Sequence, residues 1–86
     1  MEDKMNKVNV LLFAGIRDGI GQDKLILDYS KGSTLEQLIK DMEEKYPPLL
    51  RLFRSCQFIV NCQHIHPDYV LQDNDEVAIL PPLGGG

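Results

Sequence analysis

The chain closes on Pro81-Pro82-Leu83-Gly84-Gly85-Gly86, and the group with the widest chemical scope in the sequence is the α-carboxylate of Gly86. A carboxylate is a poor acyl donor, because its charge is delocalised and its oxygens leave badly. Conversion to a mixed anhydride with AMP supplies a leaving group, after which a sulfur nucleophile can take the acyl carbon. Glycine suits that chemistry, because a tail without side chains, here Gly84 and Gly85 ahead of Gly86, enters a channel too narrow for other residues and adopts almost any φ and ψ on the way. The residues beyond Pro82 span about 14 Å when extended, enough to leave a domain and enter a partner's active site. The competing reading of a terminal glycine run is an inert tail.

The other candidates are weaker. His64 and His66, two apart, put their imidazoles on one side of an extended segment, but spacing places no third ligand beside them, so surface or hydrogen-bonded histidines and no metal are expected. Cys56 and Cys62 lie six apart, which fits neither a Cys-x-x-Cys redox pair nor a zinc knuckle and reads as two reduced thiols in or near a core. Gly15, Gly19 and Gly21 match no phosphate-loop or dinucleotide spacing. Ser33 has no base assigned to it and is better explained as a helix cap.

The elements that must position the tail follow from pattern. Lys7 to Ala14 is rich in Val, Leu and Phe and reads as a strand running into a glycine-bearing loop. Lys24 to Tyr29 alternates with the period of a half-buried strand, and Lys31-Gly32 ends it. Ser33-Thr34-Leu35-Glu36 fits a capping box in which Ser33 and Glu36 exchange hydrogen bonds. Leu35, Leu38, Ile39, Met42 and Tyr46 then form one apolar stripe of a helix that Pro47 stops. Leu49 to Arg54 reads as a short helical turn, Gln57 to Asn61 and Gln63 to Ile65 as short strands joined at Asn61-Cys62, and Glu76 to Leu80 as a last strand after the polar turn Gln72-Asp73-Asn74-Asp75.

The order strand, strand, helix, strand, strand, strand predicts an α+β β-grasp (ubiquitin-like) roll: a mixed sheet of about five strands covered on one face by one main helix. The domain is expected over residues 7–82, with 83–86 as a flexible tail. Strand parity puts Val8, Val10, Leu12, Val77 and Ile79 against the helix and leaves Leu11, Phe13, Ala78 and Leu80 on the uncovered face at the base of the tail. Such a patch is expected to be a partner interface, with Pro81 and Pro82 beside it and Asp75 and Glu76 at its rim.

Composition bounds the function. A chain of 86 residues supports one modest core and no deep cavity ringed by catalytic side chains, so a self-contained enzyme is not expected. Thirteen Asp and Glu against nine Lys and Arg, with no basic cluster, exclude electrostatic binding to nucleic acid or to an anionic membrane and point to a protein partner. The longest apolar stretch, Val10 to Ile16, is too short to span a bilayer, and the N-terminus lacks the order of a signal peptide, which gives an expectation of a cytosolic protein.

The motifs together resemble the MoaD and ThiS family of sulfur carriers, on the side of the molybdopterin synthase small subunits. Phe13-Ala14-x-x-Arg17, Val60-Asn61, and Leu71-x-Asp73-x-Asp75-Glu76-Val77-Ala78 followed by Pro81-Pro82-x-x-Gly85-Gly86 match that pattern in order and spacing from about Val8 to Gly86. Pro-Pro favours molybdopterin over thiamin. The resemblance implies that the Gly86 carboxylate is adenylated by a separate ATP- and Mg-using adenylyltransferase/sulfurtransferase, becomes a thiocarboxylate, and donates sulfur to cyclic pyranopterin monophosphate. The protein would bind no cofactor of its own. Its active site would lie on the synthase large subunit, in a heterotetramer of two large and two small subunits. Carriage of sulfur for thiamin or tRNA thiolation, protein modification through Gly86, and a plain ubiquitin-like binding module remain as alternatives. Gly84 stands where the family often has Ser or Thr, and Asn74 where it often has glycine.

Overall fold

The computed structural model describes residues 5–82; Gly84, Gly85 and Gly86, with the tail expected over 83–86, lie outside the described residues. Alternation of Val8, Val10 and Leu12 with polar or half-exposed neighbours builds strand β1 (Met5–Leu12), buried at every second residue. It is followed by α1 (Ala14–Ile20), β2 (Lys24–Ser30), α2 (Leu35–Lys45), a 3-10 turn (Pro47–Leu49), α3 (Leu50–Ser55), β3 (Gln57–Val60), β4 (Gln63–His64) and β5 (Glu76–Leu80). The sheet order is β2-β1-β5-β3-β4, with β1 and β5 parallel and every other pair antiparallel. This is the mixed five-stranded β-grasp arrangement, with β5 in the middle.

The core forms where the sheet face of Val8, Val10, Leu12, Val60, Val77 and Ile79 meets Leu35, Leu38 and Met42 of α2, with Ile16, Phe53 and Leu71 closing its ends. Each side chain of this size contributes about 1.5–3 kcal/mol when removed from water. The parity expected from the sequence is the parity observed.

Four local expectations are corrected. The segment after β1 is a helix rather than a loop: α1 lies so close to the α3 end of the fold that a Cβ on Gly15 would sit 3.0 Å from Leu52 Cδ2, and one on Gly19 2.7 Å from Leu49 Cδ2. Those glycines are there for close approach. Helix α2 starts one residue later than Ser33-Glu36 predicts. Thr34 is the cap: its Oγ1 accepts from Gln37 N at 3.3 Å while Thr34 N donates to Gln37 Oε1 at 2.8 Å. The Ser33 backbone is already committed, donating to Ser30 O and accepting from Leu71 N, so the same pattern one register on wins. Finally, the strand expected over Gln63 to Ile65 ends at His64, and the turn expected over Leu49 to Arg54 is a 3-10 turn running into a full helix.

Candidate functional site: the open sheet face and the root of the tail

Register across the sheet brings one residue from each strand into a row on the face that α2 leaves open. Leu11 pairs with Lys24 on one side and Ala78 on the other, Ala78 with Ile59, and Ile59 with His64. Leu80, in register with Gln57, lies one step further along the same face. Leu11, Ile59, Ala78 and Leu80 are half-buried in the free chain. Phe13 is 38% exposed and keeps the extended backbone of β1 (φ −133°, ψ 155°), so it continues the same side of the strand. A shallow cavity of about 320 Å3 opens beside it, lined by Leu11, Leu12, Phe13, Arg17, Asp23 and Lys24. Pro81, half-buried, and Pro82, exposed, follow β5 directly. The structure therefore gathers Leu11, Phe13, Ala78 and Leu80 at the point where the chain leaves the domain, and adds Ile59. The alternation of β3 carried the signal for Ile59, since Gln57 and Ile59 must face opposite to Phe58 and Val60.

The acidic turn behaves differently from the expectation of two rim carboxylates. Glu76 is exposed on the open face. Asp75 is buried, 5% exposed, and its carboxylate accepts from Asn61 Nδ2 (2.8 Å), Tyr69 Oη (2.8 Å) and Gln72 N (2.7 Å). Its hydrogen-bonding capacity is spent inside the molecule, so it does not serve as a partner contact. Asn61 completes the arrangement, accepting from Glu76 N through Oδ1 at 2.9 Å while its own N–H donates to Glu76 O at 2.8 Å. Asn61 and Cys62 both have positive φ, 50° and 67°, the pair of left-handed residues that a two-residue hairpin requires. The β3–β4 turn is thus clamped to the first residue of β5, and the preceding turn is clamped to β1: Asn74, at φ 69°, donates to Lys7 O at 2.7 Å, and Lys7 N donates to Asp73 Oδ1 at 2.7 Å. These contacts fix where β5 begins and hence where the tail emerges. Burial, reinforced by the Asp75 carboxylate, pushes the Tyr69 phenol above its ordinary pKa.

Of the remaining candidates, His64 alone borders this site. His64 ends the row as an exposed edge residue, and His66 is exposed with Nδ1 3.1 Å from Asp68 Oδ1. Among the described residues no three of His, Cys, Asp and Glu gather to hold a metal ion. Cys56 is half-buried, with its thiol pKa raised by burial, whereas Cys62 is exposed on the hairpin turn rather than near the core. Ser33 is a turn residue. No described helix is long and apolar enough to cross a membrane.

The open sheet face thus lies beside Pro81 and Pro82, which follow the central strand β5. The family described as the ThiS family matches residues 10–86. The chain belongs to that family. A molybdopterin synthase sulfur carrier subunit from Mycobacterium tuberculosis is 36% identical over 84 residues, covering 95% of this chain and all of that protein. One from Chlamydomonas reinhardtii is 33% identical over 82 residues, covering 93% of this chain and 99% of that one. Among solved structures, the small archaeal modifier protein 1 from Methanosarcina acetivorans superposes with a TM-score of 0.78 at 27% identity, covering 95% of this chain and 98% of that one. Urm1 from Trypanosoma brucei superposes at 0.71 with 24% identity over 99% of this chain and all of that one, a likeness of fold.

Proposed function

We propose that this ThiS-family protein is the sulfur carrier and small subunit of a molybdopterin synthase, working through the carboxylate of Gly86. The observation that carries the reading is the full-length likeness to molybdopterin synthase sulfur carrier subunits, coupled to an apolar open face at the root of the Pro-Pro-x-Gly-Gly-Gly segment. A separate enzyme with Mg-bound ATP converts the Gly86 carboxylate to an acyl-adenylate with loss of pyrophosphate. A sulfur nucleophile then displaces AMP and leaves a thiocarboxylate. The large synthase subunit uses that sulfur to build the dithiolene of molybdopterin from cyclic pyranopterin monophosphate.

The domain's own residues position and present. Leu11, Phe13, Ile59, Ala78 and Leu80 supply the apolar contact, Glu76 lies at its edge, and Pro81-Pro82 end the strand β5. Two copies of each subunit form the synthase in this reading. The cytosol suits two free thiols. Incubation with an activating enzyme, ATP and a sulfur source should raise the intact mass by the difference between sulfur and oxygen, and the product should restore molybdopterin synthesis to a large subunit supplied alone. An unchanged mass overturns the reading. The likeness to a small archaeal modifier protein favours, as a second reading, conjugation of Gly86 to lysines. Isopeptide-linked products in the same incubation, without restored molybdopterin synthesis, would select it.

A further inference from the structure

The strand β2 is the long free edge of the sheet, and its residues are complementary to themselves. Leu12 N donates to Asp23 O at 2.9 Å, which fixes the alternation of the β1–β2 ladder: Leu25, Leu27 and Tyr29 direct their backbone groups to β1, while Lys24, Ile26 and Asp28 direct theirs away from the sheet. Ser30 belongs to the same outward set, but its carbonyl is taken by Ser33 N. The backbone groups without a partner among the described residues therefore lie on Lys24, Ile26 and Asp28. Reversing the strand about Ile26 maps this set onto itself, placing Lys24 opposite Asp28 and Ile26 opposite Ile26.

We propose that β2 is a homodimerisation edge, at which a second copy of this chain adds its own β2 antiparallel about a two-fold axis at Ile26. Three observations converge on that occupant. The register that uses the free N–H and C=O groups is also the one that sets the Lys24 ammonium across from the Asp28 carboxylate, twice by symmetry. The next register with the same bonding parity, centred on Leu27, would instead set Ile26 against Asp28 and gain no ion pair. Ile26 is 60% exposed, the most exposed of the large apolar side chains among the described residues, and stands at the centre of the strand. Leu25, Leu27 and Tyr29, the inward-facing residues of β2, are only half-buried, and the groove of about 430 Å3 between β2 and α2 runs beside Leu27 and Tyr29. A second β2 brings Leu27 of one copy beside Leu25 of the other and extends the apolar layer.

Edge strands ordinarily carry charge to repel such pairing. Here the charges bracket Ile26 with opposite signs, so they oppose a mismatched strand and favour this one. Asp28 already approaches Lys7 at 3.5 Å, whereas Lys24 has no carboxylate in ion-pairing range among the described residues. The axis runs perpendicular to the sheet, giving a ten-stranded sheet with both α2 helices on one side and both open faces on the other. β5 lies two strands in from the edge, so each copy's tail root stays free. A seven-residue edge is small beside the roughly 1,600 Å2 of a standard interface, so the association is weak and depends on concentration.

Sedimentation of the full chain from micromolar to millimolar concentration tests it. The weight-average mass is expected to rise toward that of a dimer. Ile26→Pro removes the donor at the axis without breaking a bond inside the sheet, and it should weaken association at least about tenfold while the amide spectrum away from β2 is unchanged. Lys24→Asp and Asp28→Lys should each weaken it too, because each puts like charges across the axis. An equimolar mixture of those two variants should associate better than either alone, since in the mixed dimer opposite charges face each other again. A protein that stays monomeric throughout, even where the edge takes up an extended peptide instead, overturns the proposal. So does a dimer indifferent to Ile26→Pro, or one lost only on Phe13→Ala or Leu80→Ala, or a mixture no better than its components.

Discussion

Asn61 and Asp75 carry more of the site than their sequence neighbourhood suggests. Asn61 holds a positive φ, donates to the Asp75 carboxylate and accepts from Glu76 N; Asp75 also satisfies Tyr69 and Gln72. Asn61→Ala strands the first of these partners and removes a residue that tolerates the left-handed region, so a loss of about 1–3 kcal/mol is expected in urea unfolding. Asp75→Asn turns one acceptor into a donor among three donors and should lose a similar amount. Because the two side chains bond each other, the double variant should fall short of the sum by roughly 0.5 kcal/mol or more, the coupling seen for residues in contact. Additive losses would show that the clamp is two separate contacts. Tyr69 adds a pH dependence. Its phenol pKa, and that of Tyr29, is raised by burial and by a neighbouring carboxylate, Asp75 and Asp41 respectively. A raised acid pKa means that the folded state holds its proton longer than the unfolded one. Stability is therefore fully present below the ordinary tyrosine value of 10.0 and falls as pH rises above it. Tyr69→Phe should lower stability at neutral pH through the lost hydrogen bond, yet flatten the alkaline decline.

At the scale of elements, α1 shows what sequence periodicity hides. Gly15, Gly19 and Gly21 weaken helix propensity and read as a loop, but the first two are small because α1 packs against Leu52 and Leu49, and Gly21 is the left-handed C-cap at φ 86°. Only the distance between α1 and the α3 end of the fold reveals this, and no local window contains it. The same limit applies to the helix cap, where Ser33-Glu36 and Thr34-Gln37 fit equally well until Leu71 engages the Ser33 carbonyl. Strand parity was legible because it needs only neighbours: Val8, Val10, Leu12, Val77 and Ile79 point inward as alternation requires. The role of Asp75 was not, since its three donors come from positions up to fourteen residues away. Gly19→Val should therefore destabilise the domain by about 1–3 kcal/mol through overpacking on Leu49, despite the better helix former. Ala14→Gly should do the opposite: Ala14 enters α1 at φ 48°, and relief of that conformation is expected to raise the melting temperature in a thermal scan by an amount corresponding to about 1 kcal/mol.

For the molecule as a whole, the division between a packed domain and a reactive end makes stability and function separable. Among the described residues, Ile79 is the last member of the core. Deleting Gly85 and Gly86, or adding one residue after Gly86, should abolish sulfur transfer while leaving the melting temperature nearly unchanged; an active extended protein would remove Gly86 from the chemistry. Docking belongs to the open face. Truncating Phe13 or Leu80 to Ala should weaken binding to the large subunit by about 10-fold or more each, the equivalent of burying one such side chain, with a smaller effect on folding because neither is fully buried in the free chain. A carrier must also be loaded by one enzyme and unloaded by another, and both need the Gly86 carboxyl carbon at their own catalytic groups. With Asp75 turned inward, Glu76 is the acidic side chain left at the rim, so salt should alter the association rate more than the final affinity. The apolar patch and the tail are then the shared determinants, and the two complexes should exclude each other. Titrating the large subunit into a preformed complex of this protein with its activating enzyme should displace the enzyme in proportion to occupancy. A stable ternary complex with one copy of each would mean that loading and unloading use different faces, and that the row Leu11, Ala78 and Ile59 serves only one of them.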